Sequence, residues 1–316
     1  MRESAPARRE APLEQGGPVE SAHAFYFGHS LVDQDMPRMV ESMARARGQH
    51  FEAHGQLGWG TSLSAHAGWN GQWAGAPLGF EDENKGRSFF RGEGKSQLDT
   101  AKYDTLVLTE TNGYTSEDPA PTIREAVKLV ARARKANPQI RVFLYANWLD
   151  RNTVGGDHGW LTRTDKDLPW WERVADAVGR EVGGPPVYVL PGGKVLAEVV
   201  RAIMGGKLPG LQVNDLFRKD PKAPGGIDGV HVNDLGFYVI ALAHYTAIFR
   251  SSPVGLPVQT ETEDGPAEAF AEPAARKIQQ IVHDTLRAYP RAGTAAIALP
   301  GAPPQGDAGT PPDAGP

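Results

Sequence analysis

Residues 105–146 read TLVLTETNGYTSEDPAPTIREAVKLVARARKANPQIRVFLYA. Two short apolar runs, Thr105 to Glu110 and Ile140 to Ala146, flank a stretch in which Ile123, Val127 and Val130 recur at helical spacing. A run that is apolar at consecutive positions fits a strand covered on both faces, whereas the spaced residues fit a helix with one buried stripe. Asn137-Pro138 stops that helix before the second run. The segment predicts strand, helix, strand.

The same alternation extends outward. His23 to Gly28 is a short aromatic-rich strand, followed by a helix over Pro37–Arg47 with proline in its first turn and Gly48 at its end. Phe51 to Leu57 is a weaker strand. Downstream, Trp170–Val182 is helical, Val187–Leu190 is a strand ended by Pro-Gly-Gly, and Val195–Met204 is helical. Leu235–Phe249 is a strongly apolar helix, and Ile278, Ile281, Val282 and Leu286 mark a last one. Five strands alternating with helices predict an α/β fold, a three-layer α/β/α sandwich around a parallel sheet. In such sheets ligands bind beyond the carboxyl ends of the strands. The segments that matter are therefore Gly28–Leu31, Gly58–Thr61, Thr111–Tyr114, Asn147-Trp148 and the loop holding Asp228 and His231.

The chain has 316 residues, enough for a large core. Its ends are low-complexity, so residues 1–20 are expected to be a disordered leader, 290–316 a disordered Pro/Gly/Ala-rich tail, and 21–289 the folded unit. With 33 Lys+Arg against 38 Asp+Glu the net charge is −5, which speaks against a simple electrostatic nucleic-acid binder. No run of about 18 apolar residues suits a bilayer. There is no cysteine, so disulfides, Cys-ligated zinc, iron–sulfur clusters and thiol nucleophiles are excluded. Met1–Glu20 lacks the apolar core of a signal peptide, which suggests the cytoplasm. A trimmed start would instead suit an exported or lipid-anchored protein, and both compartments stay open, as does the oligomeric state.

Ser30 follows the first strand and precedes a helix, where unsatisfied backbone N–H groups favour developing negative charge. A helix-capping serine fits the same place. Asp228-Gly-Val-His231 adds a base and a carboxylate to orient it, on a loop entering the helix at Leu235; an ordinary loop fits these residues too. Asn112 and Gly60, after two other strands, are candidate oxyanion donors, although Asn and Gly are also common in turns. The force lies in their coincidence at four strand ends.

These blocks resemble the SGNH hydrolases, also called GDSL-type esterases and lipases, over about Phe25 to Phe249. Gly28-His29-Ser30-Leu31 stands where that family has Gly-Asp-Ser-Leu, Gly58-Trp-Gly60-Thr-Ser-Leu63 supplies the second-block glycine, and Glu110-Thr111-Asn112-Gly113 stands for Gly-X-Asn-Asp. Asp228-Gly-Val-His231 keeps Asp-X-X-His intact. The resemblance implies a flavodoxin-like sheet, Ser30 as nucleophile, His231 as base and Asp228 as its orienting partner. It implies an oxyanion hole of Ser30 N–H, Gly60 N–H and the Asn112 side chain, with Gly58 as the alternative glycine. His29, Glu110 and Gly113 depart from the family pattern.

The expected activity is hydrolysis of a small acyl ester, an O-acetyl group on a carbohydrate being one such substrate, with neither cofactor nor metal. The alternative is a non-catalytic glycan- or ligand-binding protein on the same fold. Trp59, Tyr114 and Trp148 are candidate substrate contacts, and Trp69, Trp73 and Trp160 fall in similar regions. Packing of long loops is the other reading of these rings. The insert from Ser64 to Thr100 is a lid or a solvated loop. Asp157, His158, Asp165 and Asp167 fit no standard zinc spacing, and His50, His54 and His66 are read as scattered.

Overall fold

A computed structural model describes residues 17–68, 98, 101–111, 118–294 and 297. Five parallel strands form one sheet: β1 (Ser21–Gly28), β2 (His50–Leu57), β3 (Thr105–Leu108), β4 (Arg141–Tyr145) and β5 (Val187–Leu190). Their order is β2-β1-β3-β4-β5, the doubly wound arrangement that places a crevice at the β1/β3 switch point. The expected α/β/α architecture is the observed one.

Helices cover both faces. On one side lie α1 (Asp35–Ala46), α5 (Gly192–Met204), α6 (Asp234–Phe249) and α7 (Glu272–Arg287). On the other lie α2 (Leu63–Gly68), α3 (Ala120–Ala136) and α4 (Gly156–Val182). Strand β1 shows why its sequence is apolar throughout: Tyr26 meets His244 of α6 on one face, while Phe27 meets His66 of α2 on the other. Helix α6 is buried all along Leu235–Phe249, which explains its lack of a polar face. A single hydrophobic cluster runs through both layers.

Four local expectations differ from the structure. Helix α4 starts at Gly156, fourteen residues before Trp170, and continues through Pro169. Burial of Trp160, Leu161 and Thr164 offsets the poor helix propensity of Gly-Asp-His-Gly and the hydrogen bond that Pro169 cannot donate. The packed chain also reaches past 289: Ala292 and Thr294 are buried, and Thr294 Oγ1 donates to Leu286 O at 2.6 Å. At the other end, pairing begins inside the expected leader, where Glu20 O accepts from His50 N–H at 2.9 Å.

Finally, Asp228 to His231 is not a plain loop. It lies in β7 (Ile227–Val232), paired antiparallel with β6 (Phe217–Lys219). Phe217 pairs with Val232 and Lys219 with Ile227, so Asp228-Gly-Val-His231 opposes the single residue Arg218. The surplus residues bulge out of the hairpin.

Candidate active site

The turn after β1 carries Ser30. His29 O accepts from Val32 N–H at 2.8 Å and from Asp33 N–H at 3.2 Å, which closes the turn tightly before α1. The bulge of β7 faces it. Ser30 Oγ lies 2.9 Å from His231 Nε2, and His231 Nδ1 lies 2.7 Å from Asp228 Oδ2. Asp228 Oδ1 accepts from Val230 N–H at 2.8 Å and His231 N–H at 2.9 Å. These bonds fold the bulge so that residues three apart meet.

Burial pushes the Asp228 carboxyl up, but the N–H groups of His231 and Val230, then the imidazole itself, outweigh it and leave the pKa below the ordinary carboxylate range. An ionised Asp228 only accepts hydrogen bonds. The Nδ1 proton therefore belongs on the Asp228 side, and the Nε2 lone pair faces the Ser30 hydroxyl.

Neighbouring loops hold the segment that carries His231. Trp148 Nε1 donates to Val230 O at 2.9 Å, and Arg151 N–H donates to Gly229 O at 3.0 Å. The Asp150 and Asn152 side chains pack directly against Gly229, so a Cβ there would force both to move. Arg218 Nε donates to Val232 O at 3.0 Å, and its Nη2 to Asp33 Oδ2 at 2.9 Å.

The tentative aromatic contacts divide. Trp59 is half-buried with its ring edge-on to His231, centroids 6.4 Å apart. Trp148 is fully buried, which corrects the expectation that it contacts substrate: its indole N–H holds the strand that carries His231. Trp160 is buried as well, its Nε1 donating to Leu149 O at 2.9 Å. Asn112, Gly113, Tyr114, Trp69 and Trp73 lie outside the described residues, as does most of the Ser64–Thr100 insert.

The two candidate oxyanion glycines are not equivalent. Gly58 N–H donates to Gly28 O at 3.1 Å, extending the sheet. That bond spends the Gly58 donor. Gly60 has φ +59° and open space where a Cβ would stand.

Two of the departures from the family pattern belong to one buried network. His29 Nδ1 accepts from Leu31 N–H at 3.3 Å, so Nε2 carries the proton and donates to Glu110 O at 2.9 Å. Burial lowers the His29 pKa to about 4, which keeps the ring neutral at pH 7. Glu110 O also accepts from Asn147 Nδ2 at 2.6 Å. Its carboxylate accepts from Leu63 N–H at 3.2 Å, Thr111 N–H at 2.9 Å and Thr122 Oγ1 at 3.0 Å. Glu110 thereby joins the ends of β1, β3 and β4 to the starts of α2 and α3. Sequence reasoning did not find this network, nor the Arg218–Asp33 pair; its only signal was the pair of residues that broke the expected motif.

An open groove of about 820 Å³ runs beside β6 and β7, lined by Leu211, Phe217, Arg218, Ile227 and Phe270 among others. Neither Ser30 nor His231 lines it. The Asp157 to Asp167 acids do not gather: Asp157 pairs with Arg151, Asp165 with Arg201 and Asp167 with Arg163.

The strand order and the layers define the class of fold, a doubly wound α/β/α sandwich. No family model matches the chain, and no curated protein matches it. Among solved structures it is similar to a DUF4886 family protein from Bacteroides uniformis, at 14% identity and a TM-score of 0.56, covering 86% of this chain and 96% of that one. That likeness shows a shared fold. A candidate SGNH hydrolase from Slackia heliotrinireducens matches at 17% identity and a TM-score of 0.42, over 71% of this chain and 97% of that one. A salicylyl-acyltransferase from a tetracycline biosynthetic pathway matches at 13% identity and 0.40, over 73% and 54%.

Proposed function

We propose that the chain is a serine esterase acting on a small acyl ester, with an acetylated carbohydrate as the substrate to try first. One observation carries this reading: the unbroken line from Ser30 Oγ through His231 to Asp228, at 2.9 and 2.7 Å. A binding protein has no use for a serine within proton-transfer reach of a carboxylate-oriented imidazole.

In the first half-reaction Ser30 Oγ attacks the carbonyl carbon as its proton passes to His231 Nε2. Asp228 stabilises the imidazolium. The tetrahedral oxyanion takes hydrogen bonds from the Ser30 and Gly60 N–H groups and, by the family resemblance, from Asn112. Collapse breaks the ester C–O bond, and the leaving alcohol takes the proton from Nε2. Water then gives its proton to His231 and attacks the acyl-serine. The acid departs and Ser30 recovers its proton. Trp59, half-buried beside His231, supports a substrate with a flat or ring-shaped group next to the ester.

The test is a fluorophosphonate, with intact mass read on the parent and on Ser30→Ala. A single adduct on the parent alone is expected. A folded parent that takes no adduct overturns the esterase reading and moves a non-catalytic binding role to the front.

A further inference from the structure

We propose that His23, His50 and Glu52 form a site for a divalent transition-metal ion such as Zn(II), at the amino end of the sheet and independent of the esterase reading. Ser30 stands beyond the other end of β1, whose run from His23 to Gly28 spans about 17 Å at 3.3 Å per residue.

Sheet register assembles the group. His50 and Glu52 are two residues apart on β2 and share a face. His23 on β1 is the in-register partner of Glu52, and Ser21 that of His50. All three side chains therefore rise from one corner of the same face. One ligand atom from each lies within 4.8 Å of the other two. A tetrahedral ion with bonds near 2.0–2.1 Å holds its ligands about 3.4 Å apart, so a small closure is required. His50 is exposed and free to supply it by rotation. The two imidazoles stand edge to face, centroids 5.4 Å apart at 75°, and so do not block each other by stacking.

A second observation points to a ligand. His23 Nδ1 is 3.2 Å from Lys102 O. A carbonyl only accepts, so it fixes the proton on Nδ1 and leaves the Nε2 lone pair for a cation. Metal-bound histidines are usually oriented in this way. Two imidazoles and a carboxylate, with water in the fourth position, suit Zn(II) or Co(II) better than Mg(II) or Ca(II).

Lys102 opposes the ion. Its Nζ donates to Glu52 Oε1 at 3.0 Å, the same oxygen that His54 Nδ1 approaches at 3.5 Å. The lysine side chain is 39% exposed and can swing into water. Its charge sets a signed expectation: removing it should tighten metal binding.

The experiment is a Co(II) titration of the full, tag-free, chelator-stripped chain, followed by d–d absorption, with Zn(II) competition. Far-UV circular dichroism checks the fold of each variant. The expected result is one saturable site, weakened at least about tenfold in His23→Ala, His50→Ala and Glu52→Gln. Lys102→Gln should bind more tightly, and His231→Ala should bind like the parent. The proposal is overturned if the folded parent shows no saturable Co(II) signal, or if folded His23→Ala and His50→Ala bind as the parent does.

Discussion

Arg218 joins Asp33, three residues past Ser30, to the strand that carries His231. Its Nη2 donates to Asp33 Oδ2 at 2.9 Å while its Nε donates to Val232 O at 3.0 Å. Asp33 is held at φ +53°, an uncommon conformation for a residue with a Cβ. The pair straps the Ser30 turn to the His231 strand, and in the proposed mechanism small displacements of reacting groups are costly. Arg218→Gln should therefore lower kcat on an aryl acetate roughly tenfold, with a smaller change in KM. Arg218→Lys keeps the charge but loses the fork and should fall between. An unchanged kcat in Arg218→Gln would mean that the Ser30–His231 contact is set without the strap.

Asp228→Asn should be nearly as inactive as Ser30→Ala. The amide keeps the shape, but its NH₂ group can face Nδ1 and favour the tautomer with the proton on Nε2. The serine then has no base. A loss of about 10³–10⁴ in kcat is expected, with little change in thermal midpoint. Steady-state hydrolysis and a melting curve measure the two quantities. A loss below tenfold would remove Asp228 from the proposed triad.

Stability should fall as the solution is acidified from pH 7.5 to 5.5. Burial lowers the pKa of His29 to about 4 and of His66 and His244 to about 3, from 6.5 when exposed. Between these values the unfolded chain binds protons that the folded chain refuses, so stability rises with pH there. The change costs about 1.4 kcal/mol per histidine, or about 4 kcal/mol for three, over that interval. Urea unfolding at the two pH values measures it. His244→Leu should remove about one third of the difference. Equal stability at pH 7.5 and 5.5 would show that these rings take up protons in the folded state.

Glu110→Ala should be destabilising. It strips the acceptor from Leu63 N–H, Thr111 N–H and Thr122 Oγ1 at once. Unpaired buried donors and a lost charged hydrogen bond suggest about 2–4 kcal/mol. Glu110→Gln keeps one acceptor oxygen and should lose about half as much. Both are read by urea unfolding at pH 7.5. A loss under about 0.5 kcal/mol in Glu110→Ala would show that water replaces the carboxylate.

Much of this molecule is legible locally. The strands at Val187 and Thr105 stand out because a residue buried on both faces must be apolar at every position. Ser30 and the Asp228–His231 spacing are visible because the chemistry restricts residue type. Helix α4 is longer than its sequence suggests, since Gly156, Gly159 and Pro169 are weak formers in isolation; only the packing of Trp160 and Leu161 makes them helical. Trp148 reads as a surface aromatic because a ring that supports a site has the same composition as one that lines it.

The order of elements, the layered parallel sheet and the identity of the residues after each strand follow from sequence periodicity, because burial repeats at the period of the element. The meeting of Ser30 with His231, 201 residues further along the chain, was decided only by the tertiary structure. So was the carboxylate of Glu110 gathering donors from two helix starts. Such contacts depend on which strand neighbours which and how far the β7 bulge protrudes, and no local spacing encodes either.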